Sequence, residues 1–217
     1  PPRSTLFPYT TLFRSYFVYL GIVNLLFAGI AFNKTYFTFL CIFIVAASFF
    51  EILRLTVITA NYKTGILSLF FFIPALIGFY LSSNLDTPAL FYLLFTVTVF
   101  DAFSQLSGQL FGRTPLLVSV SPNKTVEGLA GGMIFAIITS ILLRDYSGMG
   151  LIGSVLIGLG MALSALFGDL FASFVKRRFG VKDFSNAIPG HGGFLDRFDS
   201  IIFSGSFLYI MYLTNNL

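Results

Sequence analysis

An all-α, polytopic transmembrane bundle of about seven helices is the fold class this sequence predicts, and three observations predict it. Hydrophobic residues make up 56% of the 217-residue chain and charged residues only 10%, with a mean hydropathy of +0.89. A soluble globule carries roughly 25% charged residues, so the polar surface here is too scarce to cover a water-soluble body. The apolar residues fall in long continuous runs, and the cations gather between alternate runs. The 29 Phe come with no Trp, which leaves the ten Tyr to form any aromatic belt. A single cysteine, Cys41, cannot form an internal disulfide.

The runs that can cross a hydrocarbon core of about 30 Å are 16–33, 35–53, 65–82, 88–107, 127–143, 150–172 and 194–213. Each is too long and too continuously apolar for an alternating barrel strand, so helix is expected. Residues 1–15 lack the charged, apolar and small-residue sections of a secretory signal. They are read as foreign to the fold, and the chain is expected to be shortened at its N-terminus. Residues 16–100 then form an N-terminal set of transmembrane helices, and 101–217 a membrane-embedded catalytic region.

Short loops rich in Lys and Arg face the cytoplasm. With the N-terminus inside, inner loops and helix ends collect Arg54, Lys63, Arg113, Lys124, Lys176, Arg177, Arg178, Lys182 and Arg197. The outer loops keep Lys34 and Arg144. The longer loops, 108–126 and 173–193, are therefore assigned to the cytoplasmic side. Small residues recur every fourth position at Gly128, Gly132, Ala136 and Ser140, and again at Gly160, Ser164, Gly168 and Ala172. Those stripes let helix backbones approach closely and are read as packing faces.

Acids at membrane depth are costly and usually face a cavity, a partner or an ion. Asp101 ends a long apolar run, Asp169 sits within Leu166–Phe171, and Asp196 and Asp199 are three residues apart on one face of the last helix. Convergence of the four on the inner side would suit a hard divalent cation such as Mg²⁺. Salt bridges to Lys176, Arg177 or Arg197, or helix N-terminal placement of Asp196 and Asp199, would explain the same residues. Spacing leaves both readings open.

A set suited to phosphate surrounds them. Ser121-Pro122-Asn123-Lys124-Thr125-Val126-Glu127-Gly128 reads as a turn running into a helix, offering N-terminal amides, a Lys and hydroxyls. Lys176-Arg177-Arg178 through Lys182-Asp183 adds cations, and Pro189-Gly190-His191-Gly192-Gly193 adds backbone able to approach a ligand. A basic inner loop equally serves as a plain topology signal. The pattern G-x-x-x-x-G-K-[ST] is absent, which argues against a P-loop nucleotidase, and no Cys/His cluster offers a zinc site. His191, the only histidine, reads as a hydrogen-bonded loop residue, a general base or a phosphate contact. If the nucleophile is a phosphate monoester, it is already ionised at neutral pH, which favours a binding or positioning role.

The stretch Ser173-Phe174-Val175-Lys176-Arg177, then Lys182-Asp183-Phe184-Ser185, then Ile188 through Asp199 resembles the diagnostic motif of the CDP-diacylglycerol synthase, or phosphatidate cytidylyltransferase, family. Ser121 to Gly128 is similar to a second block of that family, and Gly168-Asp169-Leu170-Phe171 to a third. The resemblance covers about Asp101 to Asp199. The stretch Ala102–Leu106 departs from the family pattern, which returns at Gly108, Gly112 and Arg113.

The resemblance implies transfer of CMP from CTP to phosphatidate, giving CDP-diacylglycerol and pyrophosphate in phospholipid biosynthesis. It implies Mg²⁺, with room for a second cation, held by Asp169, Asp196, Asp199 and Asp101. Asp169, Lys176, Arg177, His191, Asp196, Arg197 and Asp199 become the expected catalytic set. Ser121, Lys124, Thr125, Glu127, Lys182, Asp183, Gly192 and Gly193 become the expected substrate contacts. The implied setting is a bacterial-type cell membrane, with the lipid entering between helices at the inner leaflet and CTP arriving from the cytoplasm. CTP, phosphatidate and membrane lipid are the expected partners; nucleic acid is not, and a second copy of the chain is carried as a candidate. Competing readings are a CTP-dependent enzyme on another lipid, such as an archaeol phosphate cytidylyltransferase or a polyprenol kinase, and a cation-coupled transporter.

Overall fold

The computed structural model describes residues 21–148, 150–188 and 192–215. The expectations for residues 1–15 and for His191 lie outside the described residues. The elements are α1 (Gly21–Phe32), α2 (Lys34–Thr59), α3 (Tyr62–Ser82), α4 (Thr87–Phe111), β1 (Pro115–Leu117), β2 (Ser121–Thr125), α5 (Val126–Leu142), the single turn α6 (Arg144–Ser147), α7 (Leu151–Phe179) and α8 (Leu195–Asn215). The all-α membrane bundle is borne out. Four helices, α2, α3, α4 and α7, are each long and apolar enough to cross a membrane, while α1 and α5 are shorter apolar helices.

Local chemistry sets the helix ends. Asn33 and Asn61 cap α2 and α3 by accepting from the amides of Thr35 and Thr64. Thr125 caps α5 in the same way, through Gly128 N. Pro88 stands in the first turn of α4, where its missing N–H costs nothing. At the end of α7, Gly180 adopts φ +73°, with Gly180 N donating to Arg177 O and Val181 N to Lys176 O. That double reversal satisfies the last carbonyls of the helix.

Two boundaries differ most from the sequence reading. Helices α2 and α7 run on to Thr59 and Phe179, past the predicted ends at 53 and 172. The apolar signal fades at the first charges, yet Lys176, Arg177 and Arg178 are good helix formers and suit the negative end of the helix dipole. In addition, residues 121–125, expected as a turn, form the second strand of an antiparallel hairpin. Val126 N donates to Thr114 O, and the Glu127 carboxylate accepts from the amides of Arg113 and Thr114, closing the hairpin base.

Helix α8 packs against α2, α3, α4 and α7, which makes it the centre of the bundle. The buried residues of α5 are Gly128, Gly132, Ala136 and Ser140, the predicted stripe. It lies against α4 near Phe100 and Ser104, and its far end meets Gly158 of α7 at Ser140. On α7, Gly160 meets the Phe207 ring, and a Cβ at Gly168 would come 2.6 Å from the carbonyl oxygen of Asp199. Both stripes therefore act as the packing faces expected of them. Large apolar side chains such as Phe39, Phe50, Phe70, Ile152 and Leu156 stand exposed, as suits a surface solvated by lipid tails.

The two ends of the bundle can be told apart. At one end, Asn61 Nδ2 donates to Arg178 O at 3.1 Å, joining the α2–α3 turn to the tip of α7. At the other, Lys34 Nζ donates to Asn84 O at 2.8 Å. Arg178, predicted inner, thus stands at one end, and Lys34, predicted outer, at the other.

Candidate active site

The close crossing of α7 and α8 at Gly168 sets Asp169 beside Asp199. Asp169 lies within electrostatic reach of both Asp199 and Asp101, the latter from α4, and Asp101 hydrogen-bonds Ser200 of α8. Three of the four predicted acids therefore converge from three helices. Lys124 reaches in from the hairpin to pair with Asp169, and Lys176 stands close enough to act on Asp199. Asp199 itself is only 6% exposed.

The fourth acid has its own task. One oxygen of Asp196 accepts from Lys176 Nζ at 2.6 Å, and the other from Phe184 N and Gly193 N at 2.8 Å each. It clasps both ends of the segment between α7 and α8. Within that segment Ile188 N donates to Gly192 O at 2.9 Å, and Gly192 takes φ +84° with its backbone pressed between Asp183 and Asp196. Phe184 is buried beneath, with the Lys176 ammonium 5.6 Å from its ring centroid.

The other predicted residues are spread more widely. Thr125 and Glu127 are engaged locally, as helix cap and hairpin clamp. Ser121 begins β2 and is half-buried, while Arg177, Lys182 and Arg197 are exposed. The sequence reading passed over Glu51 of α2, a 4% exposed carboxylate that accepts from Ser185 Oγ at 2.5 Å and from Phe194 N and Leu195 N at 2.9 Å. The signal was available, since Glu51 interrupts an apolar run and an acid at membrane depth asks for a partner.

Among the described residues no group of three or more His, Cys, Asp or Glu side chains is placed to hold a metal ion. The donor chemistry at Asp101, Asp169 and Asp199 nevertheless fits Mg²⁺. That ion takes hard oxygen ligands, commonly one or two carboxylates, and completes its shell with water and substrate phosphate. The carboxylate-and-lysine arrangement suits phosphoryl-type chemistry, in which positioning and charge neutralisation dominate.

The cytidylyltransferase family matches residues 66–214. The phosphatidate cytidylyltransferase of Aquifex aeolicus is 37% identical over 176 residues, covering 77% of this chain and 67% of the relative. That of Bacillus subtilis is 38% identical over 133 residues, covering 59% and 49%. The chloroplastic phosphatidate cytidylyltransferase 4 of Arabidopsis thaliana is 46% identical over 117 residues, covering 53% and 30%. The chain spans about two thirds of the first relative's length and half or less of the other two. A match over residues 66–214 takes in the acid cluster, the hairpin and the α7–α8 segment together, and the chain belongs to the cytidylyltransferase family.

Proposed function

We infer that this chain transfers CMP from CTP to phosphatidate, giving CDP-diacylglycerol and pyrophosphate. The observation that carries the reading is the meeting of Asp101, Asp169 and Asp199 with Lys124 and Lys176 where α4, α7 and α8 converge. The family match over residues 66–214 spans the segments that build it, and relatives bearing the name phosphatidate cytidylyltransferase are 37% and 38% identical to the chain.

A phosphate oxygen of phosphatidate forms a bond to the α-phosphorus of CTP, and the bond from that phosphorus to the bridging oxygen breaks. Pyrophosphate leaves with the bonding pair. The attacking phosphate is ionised at neutral pH, so no side chain need remove a proton. Lys124 and Lys176 balance phosphate charge, and the acids fix the lysines while the site waits for substrate. Mg²⁺ held by Asp169 with Asp199 or Asp101 would neutralise charge on the phosphate oxygens. The basic end of α7 supports placing this site on the cytoplasmic side of a bacterial-type cell membrane.

The test is incorporation of label from α-³²P-CTP into lipid by the purified chain in phosphatidate-containing micelles. CDP-diacylglycerol should form, with Mg²⁺ required. Label from α-³²P-CTP entering archaeol phosphate, or from γ-³²P-CTP entering a polyprenol, in preference to phosphatidate would replace the substrate assignment.

A further inference from the structure

Three successive amides at the start of α8 are shared between two carboxylates. Gly193 N donates to Asp196, whereas Phe194 N and Leu195 N donate to Glu51, which comes from a helix more than 130 residues earlier. Glu51 also accepts from Ser185 Oγ, so it ties both ends of the 185–194 segment to α2. A Cβ on residue 193 would come 2.5 Å from Glu51 Oε1, and its three nearest atoms would all belong to Glu51. Glycine at 193 is thus the space through which the carboxylate reaches the helix.

The amides of a first helical turn have no partner within the helix, and at a buried helix start they must find one elsewhere. The partial positive charge there favours a carboxylate. Without Glu51, the first turn of α8 would be held by Asp196 alone. That turn leads directly to Asp199, which stands opposite Asp169. We propose that Glu51 is a positioning residue for the cytidylyl transfer. It holds the first turn of α8 and so fixes Asp196 and Asp199 against α7. The proposal rests on the family reading of the site, yet Glu51 itself lies outside the matched residues 66–214. The N-terminal helices then complete the site and do more than anchor it.

Two measurements on the full chain in micelles test this. In Glu51→Gln the side-chain amide meets the Leu195 N–H donor to donor, while the volume stays the same. This variant should exchange its 194 and 195 amides about tenfold faster by hydrogen–deuterium exchange, with α4 and α5 unaffected. Its kcat should fall about tenfold, with the KM for CTP within about twofold of wild type. The clash of Gly193→Ala should vanish in a Glu51→Ala background, making the double variant no worse than Glu51→Ala alone. Should Glu51→Ala fail to assemble, Glu51→Gln, with one atom changed, decides the matter. Unchanged exchange at 194 and 195, or a kcat within about twofold of wild type, would overturn the proposal. A wild-type chain that incorporates no CTP would overturn the activity reading instead, because amide exchange responds to Glu51 whether or not turnover occurs.

Discussion

Lys124 of the hairpin is ion-paired with Asp169 of α7, 45 residues further along the chain. Both side chains are partly exposed, at 27% and 34%, so the pair is open to a competitor. A nucleotide phosphate or a cation entering the cluster can draw the partners apart, each toward the charge it suits better.

The first expectation follows from that pair. Asp169→Asn should reduce turnover to below about a tenth of wild type, since a lost ligand to a catalytic ion removes several kcal/mol of stabilisation. Lys124→Gln should lower kcat/KM by about tenfold or more. EDTA should silence the wild type, with recovery on adding Mg²⁺ and little recovery with Ca²⁺, which prefers a larger shell. Initial rates of CTP incorporation measure all three. Robust turnover by Asp169→Asn would remove that carboxylate from the ligand set.

The Lys176–Asp196 pair makes a different prediction, read in stability. Its side chains are only 13% and 4% exposed. Removing the cation alone leaves a buried carboxylate with two backbone donors, and breaking such a pair costs about 3–5 kcal/mol. Lys176→Met should therefore lower the thermal midpoint by several degrees, and adding Asp196→Asn should restore part of the loss. Equal midpoints for Lys176→Met and wild type would show that the pair is decorative.

The third expectation is topological. In a Cys41→Ser background, single cysteines at Asn123 and Asn186 should react with an impermeant maleimide only from the cytoplasmic side. Cysteines at Asn84 and Asp145, both exposed, should react from outside. Labelling of residue 186 from outside would invert the assignment and put the acid cluster out of reach of cytoplasmic CTP.

Much of this architecture was legible because one signal, apolar continuity, is strong in lipid-solvated chains. The stripe Gly128, Gly132, Ala136, Ser140 could be read directly, since close backbone approach demands small side chains at helical spacing. The hairpin could not, because strands β1 and β2 are short, carry Pro115 and Pro122, and show no alternation. Motif proximity also leaves local partners unread. Glu127 reads as a substrate contact, yet its carboxylate is taken by the amides of Arg113 and Thr114. Glu51 carries no motif around it, and its partners are brought near only by the packing of α2 on α8.

Helix α7 has 29 residues, and at about 1.5 Å per residue it is about 43 Å long, well over the roughly 30 Å of hydrocarbon it must cross. Measured from Leu151, Asp169 lies about 27 Å along that axis; with Leu151 at the far edge of the hydrocarbon and the helix upright, it would stand near the opposite edge. Ten further residues carry the helix into water and end in Lys176, Arg177 and Arg178. That placement would set the acid cluster at the level of the lipid phosphates. A lipid substrate would then react without being lifted from its leaflet, and a nucleotide would reach it without leaving water.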